Sequence, residues 1–364
     1  MRWIVIMAGG SGERFWPESR REKPKQLLKI VGRLSLIRQT FERAKLLCPA
    51  SRILVVTNKS QEEMIKNELK ELSKENIISE PVGRDTAACI GLAALIILKK
   101  DKDASMAVLP ADHVIKNKIS FKEKILSAYE AANNGFLVTF GMLPVFASTA
   151  YGYIEKGNYR KKYLKTRFFA VKKFHEKPNE TKAKRFLRAK KYFWNSGMFV
   201  WRADVFLENL NKYLKITYNG LLSLEKNIGK RKIFQAELSK VYKKLPKISV
   251  DYAVMEKAKN VIVSVCRDLE WDDIGSWSSL QRHFPKDKRK NVVLGKVLPF
   301  DTDNCIIVNR NARRPLLTAV IGVKDLIIIQ TDDAVLVCNK SKDQEIKKVL
   351  KAIDENRDYK RLFR

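Results

Sequence analysis

The stretch Trp3-Ile4-Val5-Ile6-Met7-Ala8-Gly9-Gly10-Ser11-Gly12-Glu13-Arg14 reads as a short β-rich run that stops on a glycine-rich turn. Working outward, Ser35 to Leu47 has the mixed polar and apolar pattern of a helix, and Arg52 to Thr57 is a second β-rich run, so the opening is βαβ. The alternation continues through a helix from about Ser60 to Leu72, a strand at Ile77-Ile78, an apolar helix after Thr86 and a strand at Ser105 to Leu109. A helix from Phe121 to Ala132 then leads into a strand at Phe136 to Phe140. Such alternation predicts an α/β fold with a doubly wound sheet over the first 140 or so residues, whose ligands sit at the carboxyl ends of the strands.

Composition bounds the rest. The 364 residues carry 72 Lys+Arg against 40 Asp+Glu, a net charge of +32, with 45% hydrophobic residues. That apolar content excludes a disordered or collagen-like chain. Five cysteines, Cys48, Cys89, Cys266, Cys305 and Cys338, are odd in number and contain no C-x-x-C pair, which argues against a disulfide framework or a structural zinc site. The N-terminus reaches Gly9 and Gly10 too soon for a signal peptide, and the longest apolar run, Thr86 to Leu98, is too short to cross a bilayer. A cytoplasmic protein without a membrane partner is therefore expected. The positive charge permits nucleic acid, an anionic membrane surface or phosphorylated small molecules as partners.

From Ala150 to about Phe284 the pattern changes to shorter strands, a basic segment and Trp-containing turns, as expected of an α+β region lining the other side of a cleft. A hinge at Pro285 to Lys290 precedes β-rich runs at Cys305 to Val308, Leu317 to Ile321, Leu326 to Gln330 and Ala334 to Val337, with a helix from Lys342 onward. Their spacing fits a small β-rich module, a few turns of a β-helix. The expected domains are 1–284, with halves at about 1–140 and 141–284, and a C-terminal module over 291–364.

The glycine turn carries the first chemistry. Glycines let backbone N–H groups approach phosphate oxygens closely, and Arg14 adds a fork of donors. The turn is neither the dinucleotide G-x-G-x-x-G nor the P-loop G-K-[ST]. Shortly after it comes Glu22-Lys23-Pro24-Lys25-Gln26, in which a rigid Pro separates two lysines. Together, G-G-x-G-x-R and P-K-Q resemble the signature of the sugar-1-phosphate nucleotidyltransferases.

Further blocks narrow the resemblance. They are Glu80-Pro81-Val82-Gly83-Arg84-Asp85-Thr86-Ala87, Leu109-Pro110-Ala111-Asp112-His113, Phe174-His175-Glu176-Lys177-Pro178 and Trp194-Asn195-Ser196-Gly197-Met198-Phe199. Ser249 to Glu256 and Trp271-Asp272-Asp273-Ile274-Gly275-Ser276-Trp277 complete the set. In that order they resemble the mannose-1-phosphate guanylyltransferases, from Met1 to about Phe284 and more weakly through the tail. The resemblance implies a Rossmann-like nucleotidyltransferase domain with a β-helical tail, GTP and mannose 1-phosphate as substrates, and Mg²⁺ as cofactor.

The same resemblance implies roles residue by residue. Arg14 and Lys25 stabilise charge on the α-phosphate and on departing pyrophosphate, an electrostatic role needing no covalent intermediate. Gly9, Gly10 and Gly12 hold the nucleotide, while Glu80, Gly83, Arg84 and Asp85 form the base-recognition loop. Asp112 and Asp273 are the metal ligands, consistent with the preference of Mg²⁺ for few carboxylates plus phosphate and water. Gly152, Glu176 and Asn195 meet the mannose hydroxyls, and Lys177 meets the sugar phosphate. Asp251 reads as structural support, His113 as a packing neighbour of the metal ligand, and Trp194, Phe199, Trp271 and Trp277 as core or cleft-wall aromatics.

Two departures stand out: Asp85 occupies a position where the family usually has Asn, and Ala150 replaces the usual Gly before Tyr151. Asp85 adds negative charge near a triphosphate. Two other readings remain open at this level: another sugar-phosphate and NTP pair, or a basic nucleic-acid-binding protein. The second is motivated by the segment Glu155 to Lys191, which holds fifteen Lys/Arg against three acids. No isomerase activity is expected, because the chain ends soon after the β-rich module, and a homodimer is the expected assembly.

Overall fold

The computed structural model describes residues 1–10, 12–311 and 316–362. Two compact units emerge: Met1–Gly9 with Gln39–Asp272, and Gly10–Arg38 with Asp273–Arg364. The glycine-loop segment Gly10–Arg38 thus packs with the C-terminal residues.

In the first unit the strands are β1 (Arg2–Ala8), β2 (Ile53–Asn58), β3 (Ile77–Glu80), β4 (Ser105–Pro110), β5 (Val114–Ile115), β6 (Leu137–Met142), β7 (Tyr153–Tyr163), β8 (Thr166–His175), β9 (Tyr192–Arg202), β10 (Val261–Cys266) and β11 (Trp271–Asp272). The helices are α1 (Leu36–Lys45), which begins three residues earlier in the chain, α2 (Glu62–Glu68), α3 (Asp85–Lys100), α4 (Lys118–Asn133), α5 (Glu180–Arg188), α6 (Ala203–Tyr213), α7 (Lys215–Leu222) and α8 (Arg231–Lys244). Nine strands form one sheet in the order β3-β2-β1-β4-β9-β6-β10-β8-β7. The β3-β2-β1-β4 half is parallel, as the alternating pattern predicts.

β9 inserts antiparallel between β4 and β6, and β10 returns parallel to β6, so strands from both sequence halves share one sheet. β7 and β8 form a long hairpin, β8 also pairs with β10 and β7 with β9, so these strands close on themselves. Because β1, β2, β3, β4, β6 and β10 point the same way, their carboxyl ends and the start of β9 share one edge.

Helix α3 is apolar on every side, with Ala87 through Ile97 buried, as a helix enclosed by sheet and helices must be. Each Leu or Ile so buried contributes about 1.5–3 kcal/mol. At Gly91 a Cβ would come within 2.8 Å of Leu210 and 2.6 Å of Leu221, so the absence of a side chain lets α6 and α7 close on α3. No helix among the described residues is long and apolar enough to cross a membrane.

The second unit contains β12 (Val292–Leu294), β13 (Val297–Phe300), β14 (Ile306–Asn309), β15 (Thr318–Ile321), β16 (Leu326–Gln330), β17 (Val335–Asn339) and α9 (Ile346–Glu355). β12, β14 and β16 stack in parallel and β17 closes them antiparallel, while β13 pairs in parallel with β15. The pairs Val297↔Thr318, Asp303↔Lys324 and Ile306↔Ile327 share one sequence offset, so they are successive faces of a coil stacked on the next. Cys305, Ile307, Val320 and Ile328 fill the coil. This is the β-helical module that the turn spacing predicts.

Candidate active site

The glycine loop belongs to the second unit and is shaped by one close approach. Gly12 has φ +63°, and a Cβ there would lie 2.8 Å from the Lys25 backbone nitrogen, so the position excludes a side chain on two counts. Gln26 Nε2 donates to Gly10 O at 3.1 Å, fastening the start of the loop to the P-K-Q segment. Lys25 is buried, and its Nζ donates to the carbonyl oxygen of Asp273 at 2.6 Å. Phe15 packs on Trp277 with ring centroids 5.0 Å apart, and Trp277 Nε1 donates to Trp16 O at 2.9 Å. Gly12, Lys25 and the Asp273 turn, remote in sequence, are therefore one cluster. Arg14 Nη1 donates to Gln344 Oε1 at 2.8 Å, and Ser276 Oγ bonds the neighbouring Asp343, so residues just before α9 hold both motifs. The identity of Gln344 carries no sequence signal of that task.

In the first unit, Asn58 at the end of β2 ties two strand ends together. Its Nδ2 donates to Gly9 O at 2.6 Å, and a Cβ on Gly9 would stand 3.5 Å from Asn58 Oδ1 and 3.7 Å from Glu80 Oε2. A Cβ on Gly83 would lie 3.9 Å from the same Asn58 oxygen. Gly9, Glu80 and Gly83 are thus brought together around a residue that sequence reading missed. Burial pushes the Glu80 carboxyl up to about 7, with the Asp85 carboxylate adding to the rise against a bond from Tyr242.

Arg84, expected in the base-recognition loop, is turned toward α8. Its guanidinium donates to Tyr242 O and Lys243 O, each at 2.6 Å, neutralising carbonyls at the end of α8. Asp85 has φ +64°, a left-handed conformation that Asn and Asp tolerate better than other side-chain-bearing residues, and its Oδ1 accepts from Thr86 N at 2.7 Å. Thr86 Oγ1 accepts in turn from Val250 N at 2.8 Å.

Asp112 follows β4 at the shared edge, half-exposed, with His113 Nε2 4.0 Å from its Oδ1. Its neighbours are pinned from α1. Buried Arg43 donates through Nη2 to His113 O at 2.8 Å and to Thr40 Oγ1 at 2.8 Å, and Thr40 Oγ1 donates to Ala111 O at 3.3 Å. The backbone is therefore held on both sides of Asp112. Burial lowers the Arg43 guanidinium to about 10. Trp271 Nε1 donates to His113 Nδ1 at 3.1 Å, which fixes His113 as a packing and hydrogen-bonding neighbour.

A second polar cluster lies where β7 and β9 begin. Asn195 N donates to Gly152 O at 2.8 Å, Asn195 Nδ2 donates to Asp251 Oδ1 at 2.7 Å, and Thr139 Oγ1 and Gly197 N donate to Asn195 Oδ1. A Cβ on Gly152 would be 2.6 Å from Glu176 Oε2, so glycine is what lets that carboxylate reach the cluster. Asp251 opens a π-helical turn, Asp251–Met255, and burial raises its carboxyl to about 6, the Glu176 and Asp85 carboxylates adding to the rise against the bond from Asn195. Lys177 Nζ lies 3.2 Å from Glu176 Oε1. Trp194, Tyr151 and Trp271 stack edge to face beside it, with centroids 4.8 Å and 5.7 Å apart. Asp251 is thereby tied to a predicted sugar ligand.

Among the described residues no group of three or more His, Cys, Asp or Glu could form a metal cage.

The family model described as Nucleotidyl transferase matches residues 4–290. The chain belongs to that family. A second model, MannoseP isomerase/GMP-like beta-helix domain, matches residues 295–353 of this nucleotidyl transferase. A mannose-1-phosphate guanylyltransferase of Salmonella montevideo is 42% identical over 358 residues, 97% of this chain and 74% of that protein. One of Klebsiella pneumoniae is 38% identical over 361 residues, 98% of this chain and 75% of that protein. A solved structure described as a mannose-1-phosphate geranyltransferase of Thermus thermophilus superposes with a TM-score of 0.85 at 34% identity, covering 97% of this chain and 99% of that one.

Proposed function

We propose that this nucleotidyl transferase moves GMP from GTP to α-D-mannose 1-phosphate, giving GDP-mannose and pyrophosphate. The observation that carries the reading is the Gly152–Asn195–Glu176–Asp251 cluster, a hydrogen-bonding nest at the sheet edge suited to a small hydroxylated ligand, in a chain similar throughout to proteins named for mannose 1-phosphate. A phosphate oxygen of the sugar phosphate attacks the α-phosphorus of GTP, the bond from that phosphorus to the bridging oxygen breaks, and pyrophosphate leaves with the electron pair. A phosphate monoester is already a nucleophile, so no general base is required.

The roles follow the residues. Gly9, Gly10 and Gly12 present the backbone to the triphosphate, and Arg14 and Lys25 place positive charge on the α-phosphate and the leaving pyrophosphate. Glu80, Gly83 and Asp85 form the base loop, and Arg84 holds that loop against α8. Glu176 and Asn195 meet the sugar hydroxyls, with Gly152 leaving them room and Lys177 opposite the sugar phosphate. Asp112 and Asp273 are the carboxylates assigned to Mg²⁺, which when bound neutralises charge between phosphates. A cytoplasmic homodimer without a nucleic-acid partner belongs to the same reading, and sedimentation velocity reads its mass.

Pyrophosphate release measured with a panel of NTPs and sugar 1-phosphates is expected to be fastest with GTP and mannose 1-phosphate. A preference for dTTP and glucose 1-phosphate would place the protein in another branch of the family.

A further inference from the structure

A basic cavity in the first unit lies outside every cluster described above. It encloses about 380 Å³ where the β7–β8 hairpin, the start of β9 and the end of β10 meet. Six cationic side chains line it: Lys124, Lys156, Lys165, Arg167, Lys190 and Arg267. Only two of them have acidic partners, Lys124 with Asp268 at 3.4 Å and Lys165 with Glu123 at 4.0 Å. Among the described residues, Lys156, Arg167, Lys190 and Arg267 pair with no carboxylate. Lys156 Nζ instead stands 4.2 Å from the centroid of Phe169, and Phe193 adds a second aromatic wall.

Four uncompensated cations around one concavity repel each other. A bound anion relieves that repulsion. The cavity is larger than a single phosphate needs and falls in the size range of small-molecule sites. Arg presents a planar fork suited to phosphate oxygens, and the phenyl rings offer an apolar surface to the organic part of a ligand.

We propose that this cavity is a second anion site, separate from the catalytic residues, that takes a nucleotide or nucleotide-sugar carrying at least two phosphates. The site shares no residue with the GTP and mannose 1-phosphate assignments. It also gives a place to part of the Glu155 to Lys191 charge that those assignments leave over.

The probe is inorganic tripolyphosphate, titrated calorimetrically into the full chain with chelator present and at about 150 mM chloride, where a Debye length of about 8 Å screens long-range attraction. The comparison uses Arg167→Ala/Arg267→Ala, two exposed positions, and Lys25→Ala, with circular dichroism confirming that each folds. The expected result is an equivalent of bound probe that persists in Lys25→Ala and weakens at least tenfold in the double variant, whose turnover with GTP is unchanged. GDP is expected to compete for that equivalent. Equal affinity in the double variant, or loss in Lys25→Ala alone, overturns the proposal. So does retention of duplex DNA in place of tripolyphosphate.

Discussion

Arg43 shows how a residue far from any motif can pin the backbone around a proposed metal ligand, Asp112. A guanidinium with no acidic partner among the described residues is costly to bury, and its outlet is the backbone beside Asp112, at His113 directly and at Ala111 through Thr40. Replacing it with Met is expected to loosen that loop, lowering kcat by about 10- to 100-fold and raising the Mg²⁺ concentration for half-maximal rate. An unchanged metal dependence would make Arg43 a packing residue only. In the sequence this arginine is one more cation in an amphipathic helix, so its task was not legible, whereas Asp112 was picked out by the family resemblance of the Leu109–His113 block that closes a strand. Glu80 offers a test by pH. Its carboxyl ordinarily titrates near 4.5 and burial raises it to about 7, so between those values the folded chain holds a proton that the unfolded chain has lost. Its stabilising contribution is complete below about 4.5 and is lost as pH rises through about 7, a change of about 3 kcal/mol by the usual conversion. Glu80→Gln is expected to flatten the fall in Tm from pH 5 to 8. Asp251, raised to about 6, keeps its own slope in both proteins. Superimposable pH profiles would contradict the assignment.

At the scale of elements, local pattern and long-range pairing separate cleanly. β1, β2, β3, β4, α3 and α4 were legible because each is apolar with its own period and bounded by turn residues. The coil of the C-terminal module was legible from turn spacing. The insertion of β9 between β4 and β6 was not, since strand order is decided by pairing between residues about ninety positions apart and leaves no local mark. The division of the chain into units was hidden for the same reason: the glycine loop reads as part of a βα turn, yet its partners are Lys25, Trp277 and Gln344. The loop's geometry hangs on Gly12. Gly12→Ala forces a left-handed backbone strain of about 1 kcal/mol and a clash with Lys25, and steady-state kinetics are expected to show kcat/KM down at least tenfold with the melting temperature shifted by only a few degrees. Wild-type kinetics from that variant would mean the loop does not touch the nucleotide.

For the whole molecule, the charge of +32 has identifiable sources. The cavity beside the β7–β8 hairpin gathers six cations and Arg14, Lys25 and Lys177 are those proposed to serve the reaction, whereas cations paired as in Lys59–Glu62 or Lys348–Glu345 add nothing to the net charge. In the proposed mechanism, phosphoryl chemistry is done by fixed charge, Lys25 on the phosphates and Asp112 on the metal, without a covalent intermediate. The most direct measurement is pyrophosphate release from GTP and mannose 1-phosphate with Mg²⁺ by the wild type, Asp112→Ala and Lys25→Ala. Each substitution is expected to lower kcat/KM by at least about 100-fold while leaving the fold intact. Unchanged rates in both variants would contradict it.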